Sequence, residues 1–257
     1  MAYLSTTCDW TRCLPNKSGL LNHRPLSRIT LRKGSHELRL DLEHSANNGV
    51  HTGGHLWISS CHVSQWLCDQ QEMMHGARVI ELGCGLGLPS LVAARLGASV
   101  LATDALDALL VKLGTNATAN GCPRIETQVL DFAERADVER ARPEGTRWDL
   151  VLFADCIHGG QGWSLPSALV LLLRGTPSAR AIGAFSVAIR PGAERFWTEA
   201  AHVGLRWREL GRSASEGSRL YEFTCADDAR ARHDWGEHID SAEAQNVGLT
   251  SIFDGIE

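Results

Sequence analysis

The stretch VIELGCGLGLPS (residues 79–90) decides how the chain is read. Val79, Ile80 and Leu82 belong to a buried strand. Glycines then stand at 83, 85 and 87, and Pro89 follows. Glycine admits positive φ and lets another group approach the backbone closely. Proline is at home in the first turn of a helix. The stretch therefore predicts strand, turn, helix, with something polar lying against the turn. In open α/β sheets, ligands bind beyond the carboxyl ends of the strands, where this turn would lie.

Downstream the alternation continues. ARVIEL, SVLATD, IETQVLDF, WDLVLFAD and RAIGAFSVAI read as strands. PSLVAARLG, ALDALLVKLGTNATANG, SLPSALVLLLRG and GAERFWTEAAHVG read as the intervening helices. Such alternation implies a parallel sheet covered on both faces. LRWREL and RLYEFT read as a closing pair of strands that would place an antiparallel strand at the sheet edge. Upstream, SRITLRKGSHELRLDL (27–42) alternates around Lys33-Gly34 and reads as a β-hairpin. LWISSCHVSQWLCDQ (56–70) reads as a helix with Trp57, Cys61, Ser64 and Cys68 near one face. The expected fold is α/β and Rossmann-like: a seven-stranded, mostly parallel sheet with helices on both faces, preceded by the hairpin and helix. Residues 1–55 form an N-terminal arm and hairpin, 56–224 the α/β domain, and 225–257 an acidic, weakly ordered tail.

Composition narrows the function. Of 257 residues, 44% are hydrophobic and 21% charged, enough for a sizeable core. The formal net charge of −5 gives no reason to expect nucleic-acid or membrane binding. The eight cysteines are scattered and include no Cys-x-x-Cys, so they read as reduced thiols rather than a disulfide framework. A zinc site built on Cys8 and Cys13 has no ligand spacing behind it. The N-terminus lacks the apolar core of a signal peptide, and no apolar run approaches the roughly 20 residues that span a bilayer. A soluble cytoplasmic monomer is expected, with the nucleus as a second compartment.

The glycine spacing separates ligand classes. Dinucleotide enzymes favour G-x-G-x-x-G, with a pyrophosphate on the helix N-terminus. Here the pattern is G-x-G-x-G, and Leu88 follows. Glu81 in the strand suits an ammonium group better than a pyrophosphate. Asp104 closes the next strand 21 positions after Gly83 and is placed to accept ribose hydroxyls. A nucleoside with an amino-acid tail and no phosphate fits this set, which describes S-adenosylmethionine. A dinucleotide dehydrogenase, and a merely tight turn with Asp104 as a helix cap, are the competing readings.

ELGCGLGLPSL with ATD resembles the class I S-adenosylmethionine-dependent methyltransferases. More narrowly, TGGHLWISSCHVSQWL, VIELGCGLGLPS and WDLVLFADCIH together resemble the seven-β-strand protein-lysine methyltransferases, over about residues 27–224. The resemblance implies that Glu81, Gly83, Gly85 and Gly87 face the methionine part of the cofactor and Asp104 the ribose. It places Asp131 and Phe132 beside the adenine, Trp57 as a roof and Ala154 on the floor. A core contact for Trp57 and a helix N-cap for Asp131, ahead of AERADVER, are the plainer alternatives.

Two departures stand out. Ile58 follows the tryptophan, where the family often has aspartate or proline. The tyrosine of the family's Asp-x-x-Tyr is replaced, since DCIH runs from Asp155 to His158. Asp155 is expected to position an incoming amine, because a carboxylate raises an amine pKa and so is not by itself its base. His158, or water, is expected to take the proton; a cap for Asp155 and an exposed loop for His158 are the alternatives. Arg190-Pro191 follows the fifth strand, where the family often carries an arginine. The implied activity is methyl transfer to a protein side chain, most simply a lysine amine. A small-molecule or protein-histidine methyltransferase, and a cofactor-binding module without catalysis, are the other readings.

Overall fold

The computed structural model describes residues 26–34, 36–44, 52–122, 124–157, 162–186, 193–213 and 217–225. A hairpin comes first: β1 (Leu26–Lys33) and β2 (His36–Glu43) pair antiparallel, with Gly34 at φ 59° in the turn. A 3-10 turn (Thr52–Gly54), α1 (Ile58–Asp69) and the short α2 (Gln71–Met74) follow. Strands and helices then alternate as β3 (Arg78–Leu82), α3 (Leu88–Arg95), β4 (Ser99–Asp104), α4 (Asp107–Ala119), β5 (Ile125–Val129), α5 (Arg135–Arg140), β6 (Leu150–Ala154), α6 (Leu165–Leu173), β7 (Arg180–Ser186) and α7 (Ala193–His202). β8 (Leu205–Arg212) and β9 (Ser218–Cys225) close the fold.

Seven strands form one sheet in the order β5-β4-β3-β6-β7-β9-β8. The pairs β3–β4, β3–β6, β4–β5 and β6–β7 are parallel. β9 runs antiparallel to both β7 and β8. The antiparallel strand is thus second from the edge, not at the edge as the sequence suggested, and β8 is outermost. The reason is burial. Leu220, Tyr221, Glu222 and Phe223 are buried in succession, whereas β8 exposes Arg206, Arg208 and Glu209. The strand with two sides to bury takes the inner place.

Side chains of successive strand residues point to opposite faces. On one face Val79, Leu150, Leu152, Ile182 and Ala184 pack with α1, α3, α4 and the hairpin residues Ile29, Leu31, Leu40 and Leu42. On the other, Ile80, Leu82, Val151, Phe153 and Ala181 pack with α5, α6 and α7. The hairpin therefore shares the core of the α/β sheet. Gly183 makes room for Phe153: a Cβ at 183 would stand 2.0 Å from its ring. Phe153 in turn meets Phe185, Phe196 and Phe223 at 5.6–6.5 Å between centroids. Among the described residues, no helix is long and apolar enough to cross a membrane.

The sheet grows from β3 in both directions: through β4 to β5 on one side, and through β6 to β7 on the other. The loops leaving β3 and β6 diverge there and open a crevice at their carboxyl ends.

Candidate active site

The crevice begins at the glycine turn. Gly83, Gly85 and Gly87 take φ 61°, 53° and 78°. An added Cβ would stand 2.8 Å from Cys156 Sγ at Gly83, 2.7 Å from the Gly53 carbonyl oxygen at Gly85, and 2.1 Å from Leu113 Cδ1 at Gly87. The glycines are required by the protein's own packing as well as by φ. The sequence suggested that the space beside Gly85 belongs to a ligand; that nearest space holds the Thr52–Gly54 turn. The end of β4 anchors the loop: Gly85 N–H donates to Asp104 Oδ2 at 3.0 Å, and Cys84 N–H to Thr103 O at 2.8 Å. Asp104 Oδ1 accepts from Leu106 N–H at 3.0 Å.

A cavity of about 400 Å³ lies over this turn. Its wall includes Gly83, Gly85, Gly87, Asp104, Asp131, Phe132, Trp57, Ala154 and Asp155, nine of the eleven residues that the sequence singled out, brought together from five separate segments. Trp57 sits immediately before α1, half-buried. Asp131 does not cap a helix. Its Oδ1 accepts from Ala133 N–H at 2.9 Å, while Glu134 occupies the N-cap position of α5. The described lining carries three aspartates and no lysine or arginine. Such a wall suits a cationic ligand and offers a pyrophosphate no counter-charge.

Glu81 is not part of that wall. It is 1% exposed and turned beneath the turn, where its Oε2 accepts from Ser90 N–H at 2.9 Å and from the Ser90 hydroxyl. Burial pushes its carboxyl up to about 8, with Asp104 adding to the rise and the Ser90 bonds opposing it. Its visible task is to hold the first turn of α3 against β3.

Asp155 follows β6 with φ 57°, the only non-glycine at positive φ among the described residues. Such residues cluster at functional sites, where surrounding structure holds them. Its N–H donates to Ala184 O at 2.9 Å, and its Oδ1 accepts from Ser186 N–H at 3.1 Å. Its Oδ2 accepts from Ser59 Oγ at 3.2 Å; Ser218 Oγ lies 3.4 Å from Ser59 Oγ, and His62 Nδ1 lies 3.3 Å from Ser218 Oγ. A carboxylate only accepts and a hydroxyl has one proton. With Asp155 ionised, each serine donates toward it, and His62 carries its proton on Nδ1. Burial pushes His62 down to about 4, so it is neutral at physiological pH. His158 and Arg190-Pro191 lie outside the described residues, as do Cys8 and Cys13.

Other wall residues escaped sequence reading: Gly53, His55, Ser60, Leu106, Leu109 and the thiols Cys84 and Cys156. The doubled glycine of HTGG was the available signal, because a Cβ at Gly53 would stand 2.6 Å from Leu109. Leu106 and Leu109 gave none, since apolar residues at a helix start look like core.

The fold, with its cavity at the glycine turn, is that of the class I methyltransferases. A family model described as lysine methyltransferase matches residues 34–175, and the chain belongs to that family. Protein N-lysine methyltransferase METTL21A of Danio rerio is 35% identical over 141 residues, 52% of this chain and 62% of the relative. Protein N-terminal and lysine N-methyltransferase EFM7 of Cryptococcus neoformans is 30% identical over 112 residues, 41% of this chain and 38% of the relative. The chain thus spans between about a third and two thirds of the length of these relatives. Among solved structures, the 16S rRNA N2 G1207 methyltransferase RsmC of T. thermophilus aligns with TM-score 0.53 at 17% identity, covering 79% of this chain and 52% of that one. That likeness is one of fold.

Proposed function

We propose that this chain transfers a methyl group from S-adenosylmethionine to the amine of a lysine in a protein substrate. The observation that carries this is the cavity wall: three carboxylates without a lysine or arginine, ending at the strained Asp155 on the carboxyl end of β6. Family membership supports the reading.

When bound, S-adenosylmethionine supplies an activated methyl group on a sulfonium. The glycine turn and the Thr52–Gly54 turn would hold its backbone-facing side, and Asp104 would accept from the ribose hydroxyls. Asp131 and Phe132 would border the adenine, Trp57 would cover the cavity and Ala154 would form its floor. Asp155 would accept hydrogen bonds from the arriving ammonium and, after deprotonation, aim its lone pair. Alignment of this kind supplies several kcal/mol toward a displacement. The proton would leave to water or to His158. Six free thiols in the described residues, five of them buried, suit a reducing compartment, and we place the activity in the cytoplasm.

The test is incubation of the purified chain with methyl-labelled S-adenosylmethionine and cell lysate. Label recovered as methyllysine in a protein band is expected. Label in methylhistidine, label in small molecules only, or tight cofactor binding with no transfer would overturn the acceptor assignment. In the same assay, Asp155→Asn should leave cofactor affinity within about twofold and lower turnover by at least tenfold, because the lost charge acts on the acceptor.

A further inference from the structure

Asn116 of α4 and Asn120, which caps the C-terminus of that helix, join the hairpin to the α/β domain, and they do so differently. Asn120 Oδ1 accepts from Asp41 N–H at 2.9 Å, and its Nδ2 donates to Asp41 O at 2.7 Å. Asn116 repeats the pattern one turn earlier, accepting from Glu43 N–H at 2.8 Å and donating to Glu43 O at 3.3 Å. Residues 41 and 43 are alternate positions of β2, and 116 and 120 are neighbours on one helix face. The two carboxamides thus line the edge of β2 in place of a further strand. Backbone N–H on one side of each amide fixes which atom is the oxygen.

Each amide has a second N–H. In Asn120 it returns to its own helix, donating to Asn116 O at 2.8 Å. In Asn116, which is 1% exposed, it leaves the helix and donates to Leu86 O at 3.3 Å. Leu86 lies between Gly85 and Gly87 and lines the cavity. One buried side chain therefore touches the hairpin and the cofactor turn at once.

We infer that Asn116 couples docking of the hairpin to the conformation of the glycine turn, making hairpin and cofactor site one cooperative unit. Asn116 is a positioning residue: it acts through Leu86. Coupling of this kind is reciprocal, so the cofactor must tighten the hairpin as far as the hairpin tightens the cofactor site. The inference rests on the cofactor assignment.

Hydrogen exchange of the full chain, with and without S-adenosylhomocysteine, tests it together with calorimetry. Peptides covering residues 26–43 should exchange more slowly when the ligand is bound, although that hairpin contributes no wall residue. Asn116→Asp keeps an acceptor for Glu43 N–H but cannot donate to Leu86, and should weaken ligand affinity about tenfold and abolish the slowing. Asn120→Asp likewise keeps an acceptor for the hairpin and loses one donation to it, to Asp41 O, together with the bond to Asn116 O, but leaves the link to Leu86 intact; it should speed hairpin exchange and leave affinity within about twofold. If the unmutated chain binds the ligand and the hairpin peptides do not respond, the coupling is overturned, whatever the variants do. The same follows if both variants lose affinity equally. If the unmutated chain binds no ligand, the cofactor assignment falls first and the coupling with it.

Discussion

Glu81 shows how far a residue's role depends on its surroundings. In the sequence it is an acidic residue beside a glycine motif. In the structure it is fully enclosed, bonded to Ser90, and pushed up to about 8 by burial. A folded-state value above the ordinary one means that the native protein binds this proton more tightly than the unfolded chain. The associated stability is fully present below the unfolded value near 4.5 and is lost as pH rises toward about 8. Glu81→Gln is permanently neutral and keeps an acceptor for Ser90. The difference in melting temperature between the two proteins should therefore shift in favour of the glutamine variant between pH 5 and 8, as thermal melts at several pH values would show. A difference independent of pH would mean that Glu81 is ionised throughout that range. Asp155 makes the complementary point, since its φ of 57° could not be read from DCIH, yet it aims the carboxylate between Ser59 and Ser186.

At the scale of elements, the glycine turn and the Thr52–Gly54 turn form a single device. Gly85 is required by φ and by the Gly53 carbonyl, whereas Gly121 takes φ 62° with nothing within 4 Å of an added Cβ. Gly121→Ala should cost about 1–2 kcal/mol, the strain of a left-handed residue, and leave cofactor affinity unchanged. Gly85→Ala adds a backbone collision at 2.7 Å to the same strain. It should lower the melting temperature further and remove cofactor binding, since the collision can be relieved only by moving a cavity wall. Calorimetry and melting curves on the two variants would distinguish them; equal behaviour would show that the Thr52–Gly54 turn moves aside without consequence.

For the whole molecule, the two sheet faces do different work. One carries α1, α3, α4 and the hairpin, which flank the glycine turn and its supports. The other holds an aromatic cluster of Phe153, Phe185, Phe196 and Phe223, none of which lines the cavity. Phe153→Ala should destabilise by about 3–5 kcal/mol, as large-to-small changes at buried aromatics do. That is a large part of the roughly 5–15 kcal/mol a domain has. Cofactor affinity of the folded fraction should stay within about threefold, measured at a temperature where the variant remains folded. Comparable losses of affinity and stability would show that the faces are not separable.

The sequence by itself determined the α/β alternation, the hairpin and nine residues of the cavity wall, among them the three glycines and the three aspartates. Local features carry these: periodicity, a proline at a helix start, glycines between strand and helix, and acids at strand ends. Tertiary structure alone decided three things. It placed β9 inside the sheet and β8 at its edge, because that choice depends on which strand has two faces to bury. It turned Glu81 away from the cavity and toward Ser90, because a side chain's partner nine positions along the chain is set by packing across the turn. It brought Ser59, Ser218 and His62 behind Asp155, and Asn116 between the hairpin and Leu86. Those contacts join residues from 30 to 159 positions apart, a range over which no local pattern in a single chain carries information.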